Sequence, residues 1–150
     1  MVIIGSKSVW EKSDSFSTRL KEIAKGNEDN IIFTGYIDHH LVSSYYKACD
    51  VAVLTPIWQE AGGNTIVEAV VSGLPLITTD SGGNLDYCNT KCAIILPIDI
   101  NLKENIKKSM VQLYYDRDKA IRMGIESKRF GSQFSKEKHA ESVFSAIDRN

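Results

Sequence analysis

The sequence has little of what marks several classes of protein. Its 18 lysines and arginines nearly balance its 19 aspartates and glutamates, and no block of like charge occurs. A nucleic-acid-binding protein is therefore not indicated, since such proteins carry a basic patch or stripe. No apolar run approaches the ~20 residues that span a bilayer. The first residues also lack the basic and apolar regions of a signal peptide.

Cysteine is scarce, and the three present are Cys49, Cys88 and Cys92. An odd number in a chain of 150 residues fits a reducing cytoplasm better than a disulfide framework. Their spacing matches no zinc site. We expect three ordinary thiols in a cytoplasmic protein.

Several cofactor motifs are missing as well. There is no Gly-x-Gly-x-x-Gly string, so a nicotinamide or flavin dinucleotide is not expected. The run at residues 5–8 contains Lys7 but lacks the upstream glycine of a phosphate loop. The histidines, His39, His40 and His139, do not share ligand spacing with other candidate ligands, so we expect no metal.

What the sequence does contain is a regular alternation of short apolar runs and helical patterns. This alternation is typical of a parallel sheet covered on both faces, and it predicts an α/β, Rossmann-like, doubly wound fold. The length suits one domain. The predicted strands are residues 2–5, 31–35, 50–55, 74–78 and 92–96. The predicted helices are 14–26, 39–47, the helix that contains Glu68 and stops at Gly73, 101–115, 117–129 and 135–148.

Two carboxylates lie eight positions apart in the most informative stretch. Glu60 follows a predicted strand, which places it at the carboxyl edge of the sheet, where open α/β folds bind ligands. The alternative for Glu60 is a solvated loop carboxylate. Glu68 is the one charge in an otherwise apolar helix, so it needs a partner or a ligand.

Two interpretations of Glu68 stay open, and both can hold. Thr65 as N-cap and Glu68 three residues later form a possible capping box. Alternatively, Glu68 contacts a bound polyol such as a ribose, together with Asn64 on the same helix face. Gly62 and Gly63 permit close approach of a ligand, and the free amides at the helix start suit a pyrophosphate.

The stretch from Glu60 to Glu68 resembles the Glu-x7-Glu signature of glycosyltransferase family 4. Segments at 2–5, 32–37, 45–51, 73–83 and 134–135 also resemble that family, in the expected order and over nearly the whole chain. The resemblance implies the C-terminal nucleotide-sugar-binding domain of a two-domain (GT-B) enzyme. Such an enzyme transfers a sugar from a UDP-, GDP- or ADP-sugar, with retention of anomeric configuration, to a polysaccharide or glycolipid acceptor.

The resemblance also implies a role for each candidate residue. Glu60 would bond hydroxyls of the donor sugar and act as the catalytic residue, while Glu68 would bind the ribose hydroxyls. No metal or other cofactor is expected, because protein dipoles and basic side chains stabilise the departing diphosphate. The other implied substrate-binding residues are Gly62, Gly63, Asn64 and Thr65 for sugar and phosphate, and Tyr36, Ile37 and Leu41 around the base.

The sequence departs from the family pattern in two ways. Ala61-Gly62-Gly63 replaces the usual Gly-Phe-Gly, and the missing aromatic is expected to alter the sugar pocket. The family's first strand and helix, with their arginine and lysine, have no counterpart, and neither does the acceptor-binding domain. Lys7 is the nearest candidate for a phosphate contact, with a solvated lysine as the alternative.

These departures set expectations for the intact system. An N-terminal acceptor domain is expected in cis or in trans, and the chain alone is expected to transfer little. We expect this protein to be cytoplasmic and to associate peripherally with the inner face of the membrane through that domain.

Other functions stay open beside this one. The chain could be a non-catalytic half of a split or degenerate enzyme that binds nucleotide or docks a partner. A half of a sugar-nucleotide epimerase shares the architecture, although the glycine loop argues against it. A signalling receiver domain would need an aspartate cluster that the sequence lacks. Asp116-Arg117-Asp118 matches a metal-binding Asp-x-Asp string, but its place between two predicted helices favours helix capping.

Overall fold

The computed structural model describes residues 1–5, 15–135 and 138. These residues group into two compact units, the first from Met1 to Val42 and the second starting at Ser43. Lys7, His139 and nearly all of the helix predicted at 135–148 lie outside the described residues.

The first unit is built on two parallel strands. Strand β1 (Val2–Ile4) pairs with β2 (Ile32–Gly35), with Val2 opposite Ile32. Helix α1 (Ser15–Ile23) lies between them in sequence, and a short 3-10 turn (Glu28–Asn30) leads into β2. After α1, Gly26 has a φ of +86°, the left-handed conformation that ends helices and favours glycine. Helix α2 (His39–Ala48) crosses from the first unit into the second.

The second unit contains a three-stranded parallel sheet. Its strands are β3 (Ala52–Leu54), β4 (Leu76–Thr79) and β5 (Ala93–Leu96), in that spatial order. Each consecutive pair is joined by a helix or turn: α3 (Asn64–Val71) links β3 to β4, and a 3-10 turn (Gly82–Asp86) follows β4. Helices α4 (Leu102–Tyr115) and α5 (Arg117–Gly131) and a last 3-10 turn (Ser132–Phe134) complete the described part.

Both faces of this sheet are buried, because alternate residues of β4 enter two separate apolar clusters. Leu76 packs on one side with Ile66 and Val70 of α3. Ile77 packs on the other side with Leu113 of α4 and with α5 residues. All four residues of β4 are buried. The predicted parallel sheet covered on both faces, and with it the α/β fold class, is therefore confirmed.

The helix cap predicted at Asp116 is also confirmed. Its side chain accepts a hydrogen bond from the Lys119 amide at 2.9 Å and so caps α5. The first aspartate of the Asp-x-Asp string is therefore the N-cap of a helix. Of the helices in the described part of the chain, none is both long and apolar enough to cross a membrane.

Candidate functional site

Two loops meet at the carboxyl edge of the three-stranded sheet. The Glu60 loop (residues 55–63) follows β3, and the loop that begins at Asp80 follows β4. Because β3 and β4 are parallel, both loops leave the sheet at the same edge. The Gly83 amide donates to the Glu60 carbonyl at 2.7 Å. Two hydroxyls reinforce this join: Thr79 donates to the Pro56 carbonyl at 2.5 Å, and Ser81 donates to the Trp58 carbonyl.

Two consecutive glycines make this close approach possible. A Cβ on Gly82 would lie 2.3 Å from the Glu60 carbonyl oxygen, and Gly82 has a φ of +54°. A Cβ on Gly83 would lie 2.5 Å from the carbonyl oxygen of Ala61. Any other residue would push the Glu60 loop away from the sheet edge. The Gly-Gly pair therefore positions the loop that contains the first candidate carboxylate.

The Glu60 carboxylate is half-buried and has an ordered neighbour. The indole Nε1 of Trp58 donates to Glu60 Oε2 at 2.5 Å. Trp58 is 64% exposed, so the pair lies at the surface of the second unit. This hydrogen bond fixes the direction of the carboxylate. Trp58 was not predicted from the sequence, because a tryptophan two residues before a glutamate is not a motif.

Helix α3 begins immediately after this loop. Its N-cap is Gly63, which has no side chain to accept from the first amides. The amides of Asn64 and Thr65 therefore lack intrahelical acceptors, and the positive end of the helix dipole faces the same place. Asn64 and Thr65 are both exposed. The start of α3 is thus open to an anion.

The predicted capping box is wrong. Thr65 is the second residue of α3 and does not cap it, since the helix starts after Gly63. Gly63 is buried, and the space beside it is taken by Asn84 and Ile66. Thr65 and Glu68 keep the three-residue spacing of a capping box, but the helix begins two residues too early for Thr65 to be its N-cap.

Glu68 finds its partner on α2. The hydroxyl of Tyr46 hydrogen-bonds to the Glu68 carboxylate and lies 3.3 Å from the Thr65 carbonyl oxygen. Burial, and then the charge of Glu68 and its hydrogen bond to the phenol, raise the pKa of Tyr46 to about 12. Glu68 remains half-buried, so one side of it stays accessible. The sequence predicted the need for a partner but did not identify Tyr46.

Two further side chains face the Glu60 loop from the turn after β4. Asn84 is buried, and both polar atoms of its carboxamide have no partner within the described residues. Its Oδ1 lies 3.2 Å from the position of a Cβ on Gly63. Tyr87 meets Gly62 in the same way, with its Cε2 and hydroxyl oxygen at 3.2 Å. Neither residue was a candidate from the sequence, because their contacts depend on how the two loops cross.

The residues expected around a nucleobase lie in the first unit. Tyr36 and Ile37 follow the carboxyl end of β2, and Leu41 is in the first turn of α2. Tyr36 is 76% exposed and Leu41 is also exposed, while Ile37 is half-buried. The structure therefore brings Glu60, Gly62, Gly63, Asn64, Thr65 and Glu68 together in the second unit, and describes Tyr36, Ile37 and Leu41 within the first.

A separate groove of about 340 Å³ lies at the opposite, amino edge of the sheet. Its lining includes Asp50 and Pro75, which precede β3 and β4, and Arg117, which pairs with Asp50 at 2.8 Å. Ligands of open α/β sheets bind outside the carboxyl ends of the strands, so we do not take this groove as the candidate site. Among the described residues, no group of three or more metal-ligating side chains comes together.

The chain is similar to known proteins in both sequence and fold. The sequence profile of the family described as "Glycosyl transferases group 1" matches residues 1–130. The chain is 27% identical to the protein YtcC of Bacillus subtilis (strain 168) over 147 residues, which is 96% of this chain and 33% of YtcC. The chain thus spans about a third of that relative.

Two solved structures share the fold. Anabaena HepE in complex with UDP-glucose superposes with a TM-score of 0.82 at 17% identity, over 99% of this chain and 40% of HepE. The pneumococcal O-GlcNAc transferase GtfA, in complex with UDP and GlcNAc, gives a TM-score of 0.70 at 25% identity, over 88% of this chain and 27% of GtfA.

Proposed function

Because this chain belongs to the glycosyl transferases group 1 family, we propose that it is the donor-binding part of a retaining glycosyltransferase. One observation carries the proposal. The Glu60 loop and the open start of α3 lie together at the carboxyl edge of a parallel sheet. This is where open α/β folds bind nucleotides, and it supplies groups for both a diphosphate and a sugar.

The start of α3 suits the diphosphate of the donor. The free amides of Asn64 and Thr65 and the helix dipole together attract an anion without a basic side chain. In the transfer reaction, negative charge increases on the departing diphosphate, and fixed amide dipoles stabilise that charge without reorganisation. This arrangement supports transfer without a bound metal. Lys7 is our further candidate for a phosphate contact.

The two carboxylates suit the two polyols of a nucleotide sugar. We assign Glu68 to the ribose hydroxyls, with Tyr46 orienting the carboxylate from α2. We assign Glu60, oriented by Trp58, to the hydroxyls of the donor sugar. The spacing of Glu60 and Glu68 supports the narrower assignment to glycosyltransferase family 4, whose members retain the anomeric configuration.

UDP is the nucleotide we favour. HepE and GtfA were both solved with UDP or a UDP-sugar. Tyr36, Ile37 and Leu41 would flank the uracil, largely through shape and backbone groups. The acceptor that we propose is a polysaccharide or glycolipid, bound by an N-terminal domain in cis or in trans, at the inner face of the membrane.

Calorimetric titration of the chain with UDP, GDP and ADP tests this proposal. We expect binding of UDP, and a loss of about 10- to 100-fold in affinity for Glu68→Ala, the range for a hydrogen bond to a charged group. Glu104→Ala is the matched control, because Glu104 is an exposed glutamate whose ion pair lies on the surface of α4.

Three results would contradict the assignment of Glu68. One is that the chain binds no nucleotide. Another is that Glu68→Ala binds UDP as well as the unmodified chain does. The third is that Glu68→Ala and Glu104→Ala lose affinity equally, which would point to a general effect of charge.

A further inference from the structure

Tyr87 lies close to Gly62 in the candidate site. A Cβ at Gly62 would lie 3.2 Å from both Cε2 and the hydroxyl oxygen of Tyr87, tighter than an ordinary contact. The hydroxyl end of the ring therefore occupies the place of a side chain at position 62. Glycine at this position lets Tyr87 approach the backbone of the Glu60 loop.

The ring of Tyr87 is held in place while its hydroxyl stays available. Its body packs against the apolar cluster that includes Ile66 and Val70, and against the ring of Phe134 at a centroid distance of 5.5 Å. The side chain is only half-buried, and its hydroxyl has no hydrogen-bond partner among the residues described. Buried tyrosines usually pair the hydroxyl, so a fixed ring with a free hydroxyl is suited to contact a ligand.

Asn84 supports the same location independently. It belongs to the same turn, faces Gly63, and is buried with both polar atoms of its carboxamide unpartnered in the part of the chain described. A buried polar group without a partner is costly, and it is usually satisfied by water or a ligand. The turn after β4 thus presents two unused polar groups, from Asn84 and Tyr87, to the two glycines that follow Glu60.

We propose that Tyr87 forms one wall of the donor-sugar subsite and determines which sugar is accepted. Its hydroxyl bonds a hydroxyl of the sugar, opposite Glu60, and Gly62 provides the space for that contact. An aromatic ring thus reaches the loop from the turn after β4, although residues 61–63 contain none. This inference rests on the proposed function, because it requires a nucleotide-sugar donor at this edge.

The test compares affinities for UDP, UDP-glucose and UDP-N-acetylglucosamine in the whole chain, with Tyr87→Phe as the main variant. The phenyl ring preserves the packing against Phe134 and removes only the hydroxyl. We expect the affinity for the preferred UDP-sugar to fall about 3- to 10-fold, as for one lost hydrogen bond, with the affinity for UDP unchanged. Thermal unfolding of each variant provides the check on folding.

A second variant tests the partnership with Gly62. Gly62→Ala places a methyl group against Tyr87, so the preference for UDP-sugar over UDP should fall in the native background. In a Tyr87→Ala background the same substitution should leave that preference unchanged, because the clash is gone. Such non-additivity would show that the two residues act through their mutual contact, whereas two independent effects would add.

The outcomes distinguish the two proposals. If the chain binds no nucleotide, both fail. If the chain binds UDP but Tyr87→Phe leaves the ratio of UDP-sugar to UDP affinity unchanged, only the assignment of Tyr87 fails. Equal losses for UDP and UDP-sugar would make Tyr87 a structural residue, and that result would also overturn the inference.

Discussion

Tyr46 and Glu68 are coupled at the residue scale. The phenol gives the half-buried carboxylate a partner from a neighbouring helix, and the carboxylate in turn stabilises the neutral phenol. The sequence predicted that Glu68 needs a partner, since it is the only charge in α3. It could not identify the partner, because Tyr46 is 22 positions earlier and the pairing depends on how α2 packs.

The raised pKa of Tyr46 predicts a loss of stability in alkali. Between pH 10 and about 12 the unfolded chain releases the phenolic proton while the folded chain keeps it. The unfolded state then binds fewer protons, so the free energy of unfolding falls as pH rises through this window. In Tyr46→Phe this part of the decrease should be absent, as measured by chemical denaturation across the window.

Cys88 must be controlled in that experiment. Burial, and then the nearby Cys92, raise the pKa of the Cys88 thiol from 9.0 to about 12, which gives the same sign of effect. Denaturation should therefore be compared in a Cys88→Ala background. An alkaline loss of stability that is identical with and without the Tyr46 hydroxyl would contradict the coupling to Glu68.

At the scale of elements, the fold was largely predictable and the loop contacts were not. Apolar runs and helical periodicity placed each described strand and helix to within a few residues, because these patterns are properties of the local sequence, as the short runs of β4 and β5 illustrate. The predicted start of α3 was wrong, because the N-cap, Gly63, is packed against Asn84, a residue 21 positions away in the sequence. Contacts between two loops depend on the tertiary structure, so they cannot be predicted from a local sequence pattern.

The join between the loops after β3 and β4 gives an element-scale prediction. Gly83→Ala would place a Cβ 2.5 Å from the Ala61 carbonyl oxygen and so move the Glu60 loop. We expect a loss of about 1–3 kcal/mol in the free energy of unfolding, as for overpacking. Weaker binding of UDP-glucose should accompany it. Denaturation and calorimetry on the same preparation measure the two effects.

Gly26→Ala is the control for this substitution. Gly26 has a φ of +86° but has open space where a Cβ would be, so alanine there adds backbone strain without a clash. That strain costs about 1–2 kcal/mol and should leave the binding of UDP-glucose unchanged. If both variants bind UDP-glucose as the native chain does, the glycine pair does not position the donor loop.

At the scale of the whole molecule, we expect donor binding and sugar transfer to be separable. The chain spans about a third of YtcC, and the proposed acceptor site belongs to another domain. We expect the chain alone to bind UDP-sugar but to transfer little sugar to a glycan acceptor. An acceptor domain supplied in trans should raise transfer, and a chelator should not abolish it. Rapid transfer by the chain alone, or loss of transfer on chelation, would contradict this division.

Hydrogen exchange with and without UDP-glucose tests the central claim most directly, because it reports on every backbone amide. We predict slower exchange at residues 60–65 and 83–87, where the two loops and the start of α3 meet. No change is expected around Arg117 and Pro75, in the groove at the opposite edge of the sheet. Protection confined to that groove, with the Glu60 loop unaffected, would contradict the account.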